Sequence, residues 1–216
     1  MCFSKIYNDI NVIRQCDPAA HNIFEILFAY PGFHAREFHR FAHTLYSWHI
    51  PFFPRWISHI GRFLTGIEIH PGAALGEGVF IDHGMGVVIG ETAVVGDYVT
   101  IYQGVTLGGT SLQKVKRHPT LGNHVVVGVG AKLIGNITIG DNTRIGAGSV
   151  VVKSVPPNTT VVGNPGRVVA VRDPETDTVM KLPDPEGEKI ENLEKRVGEL
   201  ESQIYAHEKE RMNEDL

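Results

Sequence analysis

The sequence predicts a mainly β fold, a parallel β-helix whose short strands are stacked in coils. Branched apolar residues recur every six positions between Ile67 and Val152, and a small or β-branched residue precedes nearly all of them by two positions. A six-residue period fits neither an α-helix nor the simple alternation of a flat sheet. It is typical of a chain that forms a short strand, turns a corner and repeats, with coils about 4.8 Å apart.

The repeat is interrupted twice, and both interruptions carry polar residues. Eight residues instead of six separate Ile81 from Ile89, and fourteen separate Leu107 from Leu121. The first interruption contains Asp82-His83-Gly84-Met85-Gly86, and the second runs from Gly108 to Thr120 and includes Arg117-His118-Pro119. Because the interior of a solenoid has no use for such residues, we expect both segments to protrude and to form a functional site.

Residues 1–65 are predicted to be a helical segment that precedes the repeats. Asp17-Pro18 is typical of a helix N-cap followed by proline at the first helical position, and Pro31-Gly32 is expected to end that helix. A second helix is predicted at 33–48, and a short third helix leads into the repeats. His39 and His43 lie four residues apart on one helical face, a spacing at which two histidines can bind one metal ion. We interpret them as polar residues on a helix face and predict no metal site.

The carboxy-terminal part is predicted to contain a linker and a coiled coil. We place the β-helix domain at 66–172, a linker rich in Pro, Asp and Glu at 173–188, and the coiled-coil tail at 189–213. Apolar residues alternate there at spacings of three and four, as a parallel coiled coil requires. They are Ile190, Leu193, Val197, Leu200 and Ile204. A frayed acidic tail is the alternative, since Gly198 weakens the helix.

Composition and charge restrict the class of partner. Residues 111–172 contain eight basic residues and one acidic residue, Asp141, which favours a small anionic ligand such as a nucleotide-bearing cofactor. Nucleic acid is not expected, because aromatic residues are scarce in this band. The two cysteines give no disulfide framework. No signal peptide or long apolar span is evident, so we expect a cytoplasmic protein without a membrane partner.

The motifs resemble those of the serine O-acetyltransferases, in the hexapeptide-repeat acyltransferase superfamily. The resemblance covers about residues 10–170, and the chain differs from longer members in lacking much of their helical amino-terminal domain. The segments that carry it are Asp17-Pro18-Ala19, Pro31-Gly32-Phe33-His34-Ala35, Gly66-Ile67-Glu68-Ile69-His70-Pro71, Ile81-Asp82-His83-Gly84-Met85-Gly86, Val88-Ile89-Gly90-Glu91-Thr92, Val105-Thr106-Leu107-Gly108-Gly109-Thr110, Arg117-His118-Pro119 and Val162-Gly163-Asn164-Pro165-Gly166-Arg167.

The resemblance implies a left-handed β-helix and a homotrimer with active sites between neighbouring β-helices, which helical parts could join into a dimer of trimers. It implies acetyl transfer from acetyl-CoA to L-serine, which gives O-acetyl-L-serine in the first step of cysteine biosynthesis. Members of the family often bind O-acetylserine sulfhydrylase through a carboxy-terminal isoleucine. This chain ends at Leu216, so we do not expect that complex.

The catalytic roles follow from the chemistry and the resemblance together. An alcohol needs a positioned base to take its proton, and His83 is our candidate for that base. Glu68 is expected to reach the imidazole and fix its tautomer, although many family members have Asp at this position.

The resemblance also implies the ligand-binding residues. Asp17 and Asp82 should hold the serine ammonium group, and Arg117 and His118 its carboxylate. Five further residues should contact the cofactor. Gly109, Val129 and Ala147 should lie along the pantetheine arm, and Lys132 and Arg144 at the phosphates.

Three alternatives stay open from the sequence. A sugar or xenobiotic acetyltransferase shares the scaffold and the histidine but not the paired acids with Arg117-His118. A γ-class carbonic anhydrase uses the same coil with three zinc-binding histidines, and the glycine-rich loop argues against that class. The third alternative is a binding or regulatory protein.

Overall fold

The computed structural model describes residues 2–182 and 185–214, in which helices flank a solenoid of short strands. Four helices precede the solenoid, and a fifth follows it. They are α1 Cys2–Cys16, α2 Ile23–Ala29, α3 Pro31–Ser47, α4 Phe53–Thr65 and α5 Pro185–Glu214.

The solenoid is a three-sided prism of parallel sheets. The first face has the order β1-β4-β7-β10-β13, the second β11-β8-β5-β2, and the third contains β3, β6, β9, β12 and β14 and ends in β15 and β16. The strands are β1 Glu68–Ile69, β2 Ala74–Leu75, β3 Phe80–Asp82, β4 Val88–Ile89, β5 Val94–Val95, β6 Thr100–Tyr102, β7 Thr106–Gly108, β8 Thr120–Leu121, β9 Val126–Val127, β10 Lys132–Ile134, β11 Thr138–Ile139, β12 Arg144–Ile145, β13 Val150–Val151, β14 Thr159–Val162, β15 Arg167–Arg172 and β16 Val179–Lys181.

The strand register confirms the six-residue period and explains its interruptions. Leu133 pairs with Val151, eighteen positions later, which is three hexapeptides or one full coil. Ile69 pairs with Ile89 across twenty positions, and Leu107 with Leu133 across twenty-six. The extra residues are thus confined to corners, and the strands above and below stay aligned.

The prism interior is filled by the residues that the repeat predicts. Ile89, Ile101, Leu107 and Leu133 are at most 1% exposed, and the small or β-branched positions between them are equally buried. Strand pairing is the same for either hand of the coil, so the left-handed sense stays a prediction from the resemblance.

Two of the three prism edges carry the predicted interruptions of the repeat, and each is named after one of its residues. The His83 edge joins the third face to the first and comprises the corner segments 83–86, 103–104, 128–131 and 146–149. The Arg117 edge joins the first face to the second and comprises 90–93 and the long loop 109–119. Both predicted interruptions therefore protrude at corners, one on each edge.

Helix α3 is fastened to the solenoid by polar side chains that reach backbone carbonyls. Buried Arg36 donates to the carbonyl oxygen of Val79 (2.6 Å) and pairs with Asp9 of α1 (2.9 Å). The Nε2 atom of His39 lies 3.1 Å from the carbonyl oxygen of Ala73. These contacts hold α3 against the solenoid and, through Asp9, join α1 to α3.

Two predictions for the amino-terminal helices are wrong. Asp17 does not cap a helix: α2 begins later, and its N-cap is Asn22, whose side chain accepts from the amide of Glu25. Helix α2 ends before Pro31 as predicted, but α3 begins at Pro31 rather than at 33, because proline fits the first helical turn. Gly32 is needed there for close approach, since a Cβ at this position would lie 2.1 Å from the carbonyl oxygen of Ile81.

The segment after the last coil is more regular than the predicted linker. Strand β16 lies inside 173–188 and pairs antiparallel with β15, and α5 begins at Pro185. Helix α5 belongs to a separate compact unit, Leu182–Leu216, and exposes its apolar heptad residues. Leu216, on which the expectation about the sulfhydrylase depends, lies outside the described residues. Among the described residues, none of the helices combines the length and apolar character that spanning a bilayer requires.

Candidate active site

His83 projects from the His83 edge into solvent. Its backbone is in the left-handed region (φ 56°), and the amide of Gly84 donates to the carbonyl oxygen of Asp82 (2.6 Å), which closes a tight turn. The side chain is 74% exposed, and Nε2 lies 3.9 Å from a carboxylate oxygen of Asp82. A non-glycine residue in this conformation is uncommon and is often found at functional sites. The turn makes the imidazole available to a ligand.

Asp17 lies near His83 and is fixed by its own partners. The hydroxyl of Tyr30 donates to one carboxylate oxygen (2.6 Å), and the amide of Ala19 donates to the other (2.8 Å). These hydrogen bonds, with Tyr30 contributing most, lower the pKa of Asp17, and His83 adds a smaller effect in the same direction. Burial and the bond to Asp17 raise the pKa of Tyr30. Asp17, Asp82 and His83 therefore form one anionic cluster with an imidazole.

Glu68 lies on β1, under the loop that carries His83. The amide of Gly86 donates to the carbonyl oxygen of Gly66 (2.9 Å), which holds this loop against the start of the solenoid. The Glu68 carboxylate pairs with Arg62 (3.3 Å) and Arg55 (3.8 Å), in a small pocket of about 70 Å³. In this structure the carboxylate paired with the His83 imidazole is that of Asp82.

Arg117 and His118 lie together on the Arg117 edge. Arg117 donates to the carboxylate of Glu91 (2.8 Å) and to the carbonyl oxygen of Gln113 (3.2 Å). His118 is buried, with 7% of its surface exposed, and its Nδ1 atom accepts from the amide of Thr92 (3.2 Å). Burial, and secondarily the charge of Arg117, lowers the pKa of His118. A neutral imidazole and a guanidinium thus stand side by side.

The first face of the prism separates these two clusters within one chain. His83 lies just before β4. The corner just after β4 contains Gly90, which packs so closely against His118 that a Cβ on Gly90 would lie 2.0 Å from the ring. The amino-acid ligands predicted from the sequence are therefore divided into an Asp17–Asp82–His83 cluster and an Arg117–His118 cluster, on different edges.

The predicted pantetheine positions are also divided. Val129 and Ala147 lie in adjacent coils of the His83 edge. The amide of Gly148 there donates to the carbonyl oxygen of Val129 (2.8 Å). Gly130 and Gly148 leave this edge open, since a Cβ at either would meet nothing within 4 Å. Gly109 instead lies on the Arg117 edge, where a Cβ would be 3.1 Å from His118 Nε2.

The two predicted phosphate ligands flank the His83 edge from different faces. Lys132 lies on the first face and donates to the carbonyl oxygen of Gly104 and to the hydroxyl of Thr106 (3.1 Å). Arg144 lies on the third face and is exposed. Either cation can therefore reach a ligand that runs along this edge.

A larger cavity of about 620 Å³ lies elsewhere, between α1, α3 and the second face. Asp9, Arg36, His39, His43 and Glu77 are among its lining residues, and the predicted site residues are not. His43 Nδ1 lies 2.7 Å from the carbonyl oxygen of Pro71, so His43, like His39, contacts a solenoid carbonyl. Within the described ranges, no group of three or more metal-ligating side chains is found.

Sequence reasoning gave no role to three residues that the structure places at the candidate site. Tyr30 orients Asp17, Glu91 pairs with Arg117, and Thr92 contacts His118. Glu91 and Thr92 lie within a motif that carries the resemblance, so they could have been examined. Tyr30 gave no local signal, because its partner is thirteen positions away.

The family comparison first defines the class. The family of bacterial transferase hexapeptide proteins, with six repeats, matches residues 118–153, which lie within the solenoid. Together with the prism and its two polar edges, this match defines a transferase with hexapeptide repeats.

Closer relatives then define the family. A serine acetyltransferase of Synechococcus elongatus is 57% identical over 94% of this chain and 84% of its own length. A Neisseria gonorrhoeae serine acetyltransferase solved in complex with serine has a TM-score of 0.75 at 42% identity, over 77% of this chain and 68% of that one. A Brucella abortus serine acetyltransferase in complex with coenzyme A has a TM-score of 0.75 at 43% identity, over 77% of this chain and 66% of that one. The chain belongs to the serine acetyltransferase family.

Proposed function

We propose that this protein transfers the acetyl group of acetyl-CoA to the hydroxyl group of L-serine, giving O-acetyl-L-serine and free CoA. The observation that carries the proposal is the placement of His83, an exposed imidazole beside two carboxylates at one end of an open edge. The serine-bound and CoA-bound relatives support this choice of acceptor and donor.

His83 acts as the general base of a direct transfer. The imidazole takes the hydroxyl proton of serine, because histidine exchanges protons near neutral pH. The serine oxygen then forms a bond to the thioester carbonyl carbon, the carbon–sulfur bond breaks, and the departing thiolate receives the proton held by His83. Backbone N–H groups near the turn can stabilise the transient oxyanion.

The substrate groups are assigned by charge. Asp17 and Asp82 lie beside His83 and attract the serine ammonium group, while Arg117 and His118 offer donors to its carboxylate. The pantetheine arm runs along the open corners at Val129 and Ala147, and Lys132 or Arg144 binds phosphate.

A homotrimer completes the site. Ammonium and carboxylate ligands lie on different edges of one prism, so a single molecule of serine meets both sets only when the His83 edge of one chain faces the Arg117 edge of another. A head-to-tail interface of this kind closes into a ring when the rotation allows it, and the trimer that the family resemblance implies is such a ring.

The proposal is tested by steady-state assay with acetyl-CoA, in which free thiol release is followed for a panel of acceptors. The panel contains L-serine, L-threonine, L-homoserine, an amino sugar and chloramphenicol. We expect the highest kcat/KM for L-serine. A higher value for the sugar or for chloramphenicol would overturn the assignment in favour of another hexapeptide acetyltransferase.

A further inference from the structure

Thr92 ties the long loop of the Arg117 edge to the solenoid. Its hydroxyl oxygen accepts from the backbone amides of Arg117 (3.0 Å) and His118 (3.1 Å). Its carbonyl oxygen accepts from the ammonium group of Lys116 (2.5 Å). Three consecutive loop residues are thus bound to one residue of the neighbouring coil.

The same residue determines which nitrogen of His118 carries the proton. The backbone amide of Thr92 can only donate, so Nδ1 of His118 accepts this hydrogen bond (3.2 Å). A hydroxyl has two acceptor positions and one hydrogen, and the amides of Arg117 and His118 occupy both acceptor positions. The remaining hydroxyl hydrogen therefore points to Nδ1, which lies 2.9 Å away. Both arguments leave Nδ1 without a proton, so neutral His118 carries its proton on Nε2.

The His118 ring is also held in place by its surroundings. A Cβ on Gly90 would lie 2.1 Å from Nε2, and a Cβ on Gly109 would lie 3.1 Å from it. A side chain at position 90 would overlap the ring, and one at position 109 would be in tight contact with it. Since the side chain is buried, a flip of the imidazole would need the loop to move.

We propose that Thr92 is a positioning residue, which holds His118 as an Nε2–H donor and aligns the backbone of Arg117 so that both side chains meet the carboxylate of the amino-acid acceptor. This inference deepens the proposed function and rests on it for the identity of the ligand. The lowered pKa of His118, caused mainly by burial, agrees with a neutral donor at neutral pH.

The kinetic test compares three substitutions at position 92 with a matched control. Thr92→Val keeps the shape and removes the hydroxyl, Thr92→Ser keeps the hydroxyl, and Thr92→Ala is a second variant without it. Thr143→Val removes another hydroxyl from a buried threonine, one that donates to the carbonyl oxygen of Pro156. We expect Thr92→Val to raise the KM for L-serine about 10- to 100-fold, because a charged ligand loses an aligned donor. The KM for acetyl-CoA should change little.

The control outcomes separate positioning from stability. Thr92→Ser should restore the KM for L-serine to near its original value, and Thr143→Val should lower the thermal midpoint without changing that KM. A Thr92→Val protein with an unchanged KM for L-serine, or with equal increases in both KM values, would overturn the positioning role.

A spectroscopic test needs no turnover. Nitrogen-15 spectra of the His118 imidazole in the full protein should show a protonated Nε2 and an unprotonated Nδ1. Thr92→Val should shift the Nδ1 resonance, because Nδ1 loses the hydroxyl hydrogen bond and keeps only the one from the backbone amide of residue 92. A protonated Nδ1 in the original protein would overturn the tautomer argument, and an Nδ1 resonance that does not move in Thr92→Val would overturn the contribution of the hydroxyl. Failure of the original protein to acetylate L-serine would instead overturn the proposed function, and the assigned ligand with it.

Discussion

At the scale of single residues, the neighbours of a histidine decide whether it can act as a base. His83 and His124 both adopt positive φ (56° and 55°) at corners, and both are exposed. Only His83 has the carboxylates of Asp17 and Asp82 beside it, whereas His124 stacks on Tyr98 with ring centroids 5.3 Å apart. The neighbours, rather than the conformation, distinguish the catalytic candidate.

The pair of histidines gives a matched prediction. We expect His83→Ala to lower kcat by roughly 10²–10⁴-fold, the range that a lost general base produces. His124→Ala, at a corner of the same geometry, should keep kcat within a small factor. Sedimentation checks that both variants stay assembled. Near-normal turnover of assembled His83→Ala protein would exclude His83 as the base.

Glu68 provides a graded comparison with His83. We expect Glu68→Gln to lower kcat less than His83→Ala does, because glutamine keeps a polar group on β1 while losing the charge that pairs with Arg62 and Arg55. Steady-state kinetics of both variants under one set of conditions provides the measurement. Damage equal to or greater than that of His83→Ala would show that the charge of Glu68 is essential to catalysis.

His39 predicts a stability that depends on pH. Burial is the main cause that lowers the pKa of His39 from 6.5 to about 4. The unfolded chain therefore binds a proton before the folded one does, and stability is lost as the pH falls from about 6.5 towards 4. At pH 5 this linkage costs about 2 kcal/mol relative to pH 7.

The measurement is urea unfolding of His39→Gln at pH 7 and pH 5. Glutamine can still donate to the carbonyl oxygen of Ala73 but does not titrate, so its loss of stability between the two pH values should be smaller than that of the original protein. His124→Gln removes an exposed histidine and should leave the loss unchanged. Equal losses in all three proteins would contradict the prediction.

At the scale of elements, the sequence predicted the solenoid well because each hexapeptide signals its own strand and corner. Leu133 and Val151 were placed by their spacing and are paired in the structure. The helical segment was predicted less well. Asp17 looked like a cap because Pro18 follows it, but its carboxylate is instead held by Tyr30, a contact that only tertiary packing creates.

The carboxy-terminal elements were only partly predictable for the same reason. β16 is exposed along its length and forms only because β15 offers it a free edge. Helix α5 was predicted by its heptads, and its apolar residues are 52–59% exposed in the single chain. A helix with such a seam draws most of its stability from a partner.

The partner of α5 can be tested with two double substitutions. One double variant, Leu193→Asp with Leu200→Asp, places two negative charges on the apolar seam. The other, Lys195→Asp with Ser202→Asp, places them on the opposite face of the helix. We expect the first to lose helical circular dichroism and the second to retain it, because only the seam packs against a second α5. Equal helical signals would show that α5 stands without a coiled-coil partner.

At the scale of the whole molecule, the division of ligands between two edges predicts complementation. If each site takes His83 from one chain and Arg117 from the next, a mixed trimer of His83→Ala and Arg117→Ala chains contains some intact sites. Random mixing of equal amounts leaves about one quarter of the sites intact, from the arithmetic of a head-to-tail ring.

The measurement is the activity of the two inactive variants after they are unfolded and refolded together, compared with each refolded alone. Recovery in the mixture alone is expected. Activity that stays at the level of the separate variants would show that one chain supplies both residues to its own site.

The alignment of strands across unequal corner lengths has a consequence for how such proteins diversify. Leu107 and Leu133 stay in register although eight additional residues lie between them. A corner segment can therefore be lengthened, shortened or exchanged as a cassette while the scaffold beneath keeps its geometry. On the proposed assignment, acceptor preference can evolve in the 109–119 cassette while the His83 edge is inherited unchanged.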